Sequence, residues 1–231
     1  GIALSAALPA TGNWQGAWWA ATVLAAVLSA VAWFMRPGVA DETSKAPAGQ
    51  ANARGPLITL MTSYTLEGVG YIIAGTFLVA AVQQNTSGGV GAWTWIVVGL
   101  AALPSCALWT SLIRRWSRPT LLLAALLVQT VGVALPALFG GTGPAVVAAV
   151  LFGATFLAVA TISLPIGMQL GIGRAVAVLT VGYSVGQILG PVLAAPLLDG
   201  GYRPALLLGA IVVAAAAVAA AALRFRFPHH L

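Results

Sequence analysis

The chain has 231 residues, of which 60% are hydrophobic and only 6% are charged, with a formal net charge of +6. A soluble globular domain carries about 25% charged residues, so this composition leaves too little polar surface for a fold that faces water. The basic excess does not indicate nucleic-acid binding, because no basic stripe with interleaved aromatic residues is present.

Long apolar runs separated by short polar segments dominate the sequence from residue 16 onward. About 20 helical residues cross a bilayer, and in lipid a helix satisfies its own backbone hydrogen bonds. The runs are too long and too uniformly apolar for the alternating strands of a β-barrel. The sequence therefore predicts an all-α integral membrane protein, a polytopic bundle of about seven transmembrane helices. The predicted spans are 16–35, 57–82, 93–113, 119–139, 144–170, 175–198 and 203–223.

The longest connection, 36–56, follows the first predicted span. It is rich in Pro, Gly and charged residues and poor in large apolar ones, so it predicts a flexible cytoplasmic linker. We expect this linker to separate the single span before it from the six spans after it. The apolar segment Gly1–Leu8 is too short to cross a membrane.

Basic residues collect in alternate connections, which predicts the orientation. Nine of them fall on one side of the membrane, and Arg203 alone falls on the other. Because cytoplasmic loops carry the excess of Lys and Arg, this pattern predicts a multi-pass protein of the cell inner membrane with a cytoplasmic C-terminus. The nine are Arg36, Lys45, Arg54, Arg114, Arg115, Arg118, Arg174, Arg224 and Arg226.

Glu67 is the only ionisable acid or base deep in any predicted span. A charge at the bilayer centre is unfavourable by about 2.5–3.5 kcal/mol, so such a residue usually faces a cavity or the bundle interior. Ser63, Tyr64, Tyr71 and Gly75 fall near the same helical face by their spacing. Glu67 is thus a candidate proton carrier or polar contact to a solute, with Tyr64 and Tyr71 beside it. Alternatively, it is a protonated or hydrogen-bonded glutamate that only fixes helix packing.

The sixth predicted span repeats a small residue at every fourth position, at Gly182, Gly186 and Gly190. Such a row lets another helix approach closely, which favours a role in packing. Gln187 lies in the same span, and Gln129 lies in the middle of the fourth. Each amide is either an interhelical hydrogen-bonding group or part of a solute pathway.

Most catalytic and metal-binding chemistry is absent from the sequence. No histidine lies in a predicted span, no nucleotide-binding or metalloprotease motif is present, and Cys106 is the only cysteine. We expect the adjacent His229 and His230 to lie in a frayed C-terminal tail and not to form a metal site. We therefore expect no enzymatic activity, no metal and no cofactor.

Two segments carry a resemblance to a known family. Tyr64-Thr-Leu-Glu-Gly-Val-Gly-Tyr-Ile-Ile-Ala-Gly-Thr-Phe-Leu78 resembles the seventh helix, and Gly186-Gln-Ile-Leu-Gly-Pro191 the eleventh, of a bacterial permease branch of the major facilitator superfamily. Those proteins have twelve helices in two six-helix halves joined by a cytoplasmic linker. The resemblance implies that 1–35 is a remnant of the first half, that 36–56 is the central linker, and that 57–231 is the second bundle with a short cytoplasmic tail.

The resemblance also implies a function. It implies a proton-coupled secondary active transporter of a small solute. Such a transporter works by alternating access between the two halves, so this chain needs the missing N-terminal half as a partner. A neutral or cationic solute fits a site with one acid and no base. The residues alone leave open a seven-helix receptor or sensor and a membrane-embedded enzyme.

Overall fold

The computed structural model describes residues 14–34, 53–85, 90–172 and 174–226, and these residues contain helices and no strand. The prediction of an all-α polytopic bundle is confirmed. Six helices are long and apolar enough to cross a membrane, whereas the first has a shorter apolar stretch, Thr22–Val31. The helices are α1 (Trp14–Phe34), α2 (Arg54–Asn85), α3 (Val90–Leu112), α4 (Arg118–Leu138), α5 (Thr142–Gln169), α6 (Ala175–Ala194), a 3-10 helix (Ala195–Gly200) and α7 (Tyr202–Arg226).

The chain divides into two units, 1–45 and 46–231. The first contains α1, whose large apolar side chains, such as Val23, Leu28 and Phe34, are exposed. Gly1–Leu8 and most of the predicted linker lie outside the described residues. The helix that corresponds to the predicted span 57–82 begins at Arg54 and takes Pro56 into its first turn, where the missing N–H is not needed.

Within the second unit, neighbouring helices pack in the order α3, α5, α4, α7, α2, α6, and α2 also contacts α5. The helices at the two ends of this order, α3 and α6, bury 22% and 17% of their apolar stretches, against 44% to 50% for the other four. The main core contains Leu60, Leu126, Ile162 and Leu223 from four different helices. The bundle therefore has a packed interior and two flanking helices with broad exposed apolar faces.

The end of α6 is shaped by proline and glycine. Pro191 lies inside its last turn, and the chain then continues as the 3-10 helix, which contains Pro196 and is followed by Gly201 with φ +94°. That backbone conformation favours glycine. The predicted span 175–198 is thus one α-helix followed by a tighter turn, because proline cannot donate the α-helical hydrogen bond.

Arg203 follows directly and has a structural partner. Its Nε donates to the Ala137 carbonyl at 2.7 Å and its Nη2 to the Leu138 carbonyl at 3.3 Å. A helix leaves its last carbonyls without intrahelical partners, and a cation there also suits the helix dipole. The single basic residue predicted for its side of the membrane therefore caps the end of α4.

Candidate functional site

Glu67 lies near the middle of α2 and its side chain is 0% exposed. Two glycines directly after it let other helices come close. A Cβ at Gly68 would lie 2.7 Å from the Tyr183 carbonyl oxygen of α6, and one at Gly70 would lie 2.8 Å from the Gly209 carbonyl oxygen of α7. Because α2 is enclosed in this way, the carboxyl group sits between helices, away from lipid.

Gln129 of α4 is the hydrogen-bonding partner of this carboxyl group. It is also 0% exposed, and its Nε2 donates to Glu67 Oε1 at 3.0 Å. The other two oxygens of the pair, Glu67 Oε2 and Gln129 Oε1, are buried without a hydrogen-bond partner. An ionised carboxylate has acceptors only, so it has no hydrogen to offer the amide oxygen. A protonated carboxyl has one, and a proton on Oε2 supplies the donor that this pair lacks.

Five aromatic rings lie beside the carboxyl group, and we call them the aromatic layer. Tyr64 stacks on Tyr183 with ring centroids 4.5 Å apart, and Tyr71 lies 5.6 Å from Phe156, 5.8 Å from Phe152 and 6.1 Å from Tyr183. The rings come from α2, α5 and α6, so the layer joins three helices of the bundle. The Tyr183 phenol is close enough to interact electrostatically with the Glu67 carboxyl.

The aromatic layer has an enclosed side and an open side. Tyr64 and Phe152 are buried, whereas Tyr71, Phe156 and Tyr183 are partly exposed. Gly75, one helical turn after Tyr71, has no atom within 4 Å of an added Cβ. The layer thus contains two enclosed rings and three rings that are partly open to the surroundings of the bundle, and we call the part with these three rings its open side.

The structure brings together four of the five residues predicted for the solute or proton pathway: Glu67, Gln129, Tyr64 and Tyr71. Gln187 is half-buried on α6, one turn beyond Tyr183, and is not a hydrogen-bonding partner of Glu67. Val69 and Ile73 of α2 are also buried, so this helix has neighbours on more than one side. Ser63 lies at a helix contact, where its hydroxyl donates to the Ala216 carbonyl at 2.8 Å.

Sequence reasoning missed Tyr183, Phe152 and Phe156. A signal for Tyr183 was present, because it follows Gly182 and precedes Gly186, the residues chosen for close helix contact. Where two helices touch through glycines, an adjacent aromatic ring has no room between them and lies at the edge of the helix contact. No comparable signal marked the two phenylalanines, which occur within a uniformly apolar run.

The three glycines of α6 lie against α2. A Cβ at Gly182 would be 2.6 Å from the Thr65 hydroxyl, one at Gly186 would collide with the Thr65 carbonyl, and one at Gly190 would be 2.8 Å from the Val69 carbonyl. Real Cβ atoms essentially never approach so closely, and at Gly186 and Gly190 the neighbouring atoms belong to the backbone, so only glycine fits this helix spacing there. The row therefore holds Tyr183 next to Tyr64 and Glu67.

A groove of about 450 Å³ runs along the same two helices. It is lined by apolar side chains, among them Met61, Val178 and Val185, and Arg174 borders it. Among the described residues no group of three His, Cys, Asp or Glu side chains is placed to hold a metal ion. His229 and His230 lie outside the described residues.

A comparison with known families adds to this geometry. The model of the family described as uncharacterised MFS-type transporter YbfB matches residues 1–221 of the chain, where MFS denotes the major facilitator superfamily. No curated protein matches the chain.

Proposed function

The chain belongs to this family of MFS-type membrane transporters, and from that premise we propose that it is part of a proton-coupled secondary transporter with Glu67 as the protonated group. It moves a small solute unchanged across the membrane and performs no reaction on it. The observation that carries the proposal is the pair of buried oxygens, Glu67 Oε2 and Gln129 Oε1, that share no hydrogen.

Protonation supplies the hydrogen that this arrangement lacks. With a proton on Oε2, the carboxyl can donate to Gln129 Oε1 while the amide donates to Glu67 Oε1, which is the pairing that a carboxylic acid and an amide form. Without that proton, the buried pair carries an uncompensated charge, because Gln129 is neutral and no basic group contacts Glu67 in the described residues. Burying an unpaired charge is far more unfavourable than burying a hydrogen-bonded neutral group.

The protonation state of Glu67 is therefore linked to its exposure. The neutral form suits the packed bundle described above, whereas the ionised form requires access to water or to a compensating solute. A transporter that alternately opens a cavity to each side of the membrane offers these two environments in turn. Proton binding and release at Glu67 then accompany the change of state, which is the condition for coupling.

The exposed faces of α3 and α6 support a two-bundle arrangement. These helices stand at the ends of the packing order and expose large apolar side chains, including Leu103, Leu108, Ile188 and Val192. We propose that 1–35 is the last part of a first bundle and that 36–56 connects it to the bundle described here. Rocking of the bundles against each other then opens the aromatic layer to either side.

The orientation follows the charge pattern. We propose that the connection between α3 and α4, the start of α6 and the chain end after α7 lie in the cytoplasm, in a bacterial inner membrane. The described basic residues agree with this assignment, since Arg114, Arg115, Arg174 and Arg224 are exposed at one set of helix ends.

Glu67→Gln tests the proposal, because glutamine keeps the size and hydrogen-bonding capacity of the side chain but cannot titrate. The protein expressed from its complete gene is reconstituted in liposomes that contain the pH dye pyranine, and small solutes are added one at a time. We expect at least one solute to change the internal pH with the wild type and none with Glu67→Gln. The variant should still exchange that solute, in radiolabelled form, in the absence of a pH gradient.

Ser105→Ala is the matched control, because Ser105 is also buried and polar but bonds only within its own helix, to the Ala102 carbonyl at 2.7 Å. It should behave as the wild type. Undiminished solute-linked proton movement in Glu67→Gln would show that the proton travels elsewhere and that Glu67 serves packing alone.

A further inference from the structure

The aromatic layer has a composition that favours one class of solute. Each ring carries negative electrostatic potential on its face, which attracts a cation held within about 6 Å of the ring centre. Tyr71, Phe156 and Tyr183 are partly exposed on the open side, and they come from three different helices. A solute that reaches these residues therefore meets aromatic rings from three helices.

The charges around the layer have a single sign. Glu67 lies on the same helix as Tyr64 and Tyr71, about one turn from each, and the adjacent Gly68 packs against the backbone of Tyr183. The described basic side chains lie at helix ends or in connections, as Arg54, Arg118, Arg174 and Arg203 illustrate, so none of them neutralises this region. The layer thus combines electron-rich faces with a nearby acidic group and no competing base.

Other solute classes fit this surface less well. A metal ion needs several oxygen ligands, and the described residues offer no such cluster. A sugar needs many directional hydrogen bonds, whereas the layer offers mainly ring faces, and two of its five members are phenylalanines. An anion would be repelled by the ring faces and by an ionised Glu67.

We propose that the aromatic layer is the binding site for an organic cation with apolar substituents, such as a quaternary ammonium or phosphonium ion. The inference rests on the proposed function, since it assigns the solute of the same transporter. It places the cation against Tyr71, Phe156 and Tyr183 on the open side, with Glu67 as the nearby group of opposite charge. Cation and proton then depend on the same carboxyl group.

Isothermal titration calorimetry on the purified protein, expressed from its complete gene and held in a nonionic detergent, tests this site without any gradient. The probes are tetramethylammonium, benzyltrimethylammonium and tetraphenylphosphonium. Neopentylbenzene, which has carbon in place of the charged nitrogen of benzyltrimethylammonium, is added as a neutral competitor. We expect at least one cation to bind, and the neutral isostere to compete about tenfold more weakly than benzyltrimethylammonium.

Tyr71 provides the matched variants, because its ring contacts three others of the layer. Tyr71→Leu removes the ring and should weaken cation binding about tenfold, whereas Tyr71→Phe keeps the ring and should weaken it less than about threefold. Val131→Leu, at an exposed position of α4, should bind as the wild type. Size-exclusion profiles confirm that each variant is folded, and Tyr71→Phe reports on the site even where Tyr71→Leu does not fold.

Three results would overturn the inference: no binding of any of the three cations, equal competition by the neutral isostere, or equal losses in Tyr71→Leu and a folded Tyr71→Phe. None of these depends on proton movement, so the two proposals fail separately. Cation binding with the expected dependence on Tyr71, together with unchanged proton coupling in Glu67→Gln, would refute the proposed function and leave the binding site standing. Loss of coupling in Glu67→Gln, together with no cation binding by the wild type, would refute the binding site and leave the proposed function standing.

Discussion

The pairing of Glu67 with Gln129 predicts a strong non-additivity between two substitutions. Glu67→Met and Gln129→Met each replace a polar side chain with an unbranched apolar one of similar length. Each alone removes one end of the 3.0 Å hydrogen bond between two side chains that are both 0% exposed, so the remaining polar group loses that partner in the protein interior. The two changes together remove both polar groups at once.

The magnitudes follow from this geometry. Leaving a buried polar group without its partner destabilises by about 1–3 kcal/mol, whereas replacing both partners with apolar groups of the same shape is nearly neutral. Gln129→Met should therefore lower the free energy of unfolding by about 1–3 kcal/mol. The double variant should be less destabilised than the sum of the single variants by at least about 1 kcal/mol, within the range seen for residues in contact.

Equilibrium unfolding in mixed micelles, with increasing sodium dodecyl sulfate and circular dichroism as the readout, measures these differences. Glu67→Met combined with Thr180→Ala gives a control cycle, because Thr180 is exposed on α6 and bonds only to the Val176 carbonyl of its own helix. That cycle should be additive. Additivity in the Glu67 and Gln129 cycle as well would mean that the two side chains do not form a buried pair and that Gln129 is not the acceptor for a proton on Glu67.

Two further predictions concern helix contacts and orientation. Gly186→Ala should destabilise the bundle by about 1–3 kcal/mol, since its Cβ would collide with a carbonyl of α2. Gly75→Ala should not destabilise it, because there is open space around Gly75. The same unfolding assay compares the two variants, and equal stabilities would mean that α6 does not contact α2 through this row. In whole cells, a cysteine at Thr142 should react with a membrane-impermeant maleimide and one at Ser117 should not, and the opposite pattern would reverse the proposed orientation.

The helical spans could be predicted from the sequence because their length and apolar character leave a bilayer protein no alternative. Boundaries differed where local chemistry intervened, as at Pro191 and Pro196, where α6 gives way to a 3-10 helix. The importance of Glu67 could also be predicted, because a carboxyl group in an apolar run is unfavourable in a bilayer. These features depend on the residues themselves and on their immediate neighbours in sequence.

The arrangement around Glu67 depends on how the helices cross, which a single sequence does not specify. Gln129 was recognised as a polar residue in a span, but nothing indicated that its amide meets a carboxyl 62 positions earlier. The aromatic layer draws its rings from three helices, and the sequence spreads them from Tyr64 to Tyr183. The burial of Val69 and Ile73 beside that of Glu67 depends on helix crossing as well, because a helix with neighbours on several sides has more than one buried face.

The protonation of Glu67 in the resting protein is the centre of this account, and infrared difference spectroscopy measures it directly. A protonated carboxyl group has a carbonyl stretching band that a carboxylate lacks. The spectrum of the wild type minus that of Glu67→Gln, recorded near neutral pH in lipid, should contain such a band, and Gln129→Met should shift it because the band responds to hydrogen bonding. A difference spectrum that contains only carboxylate bands near neutral pH would contradict the account, since Glu67 would then be ionised while buried beside a neutral amide.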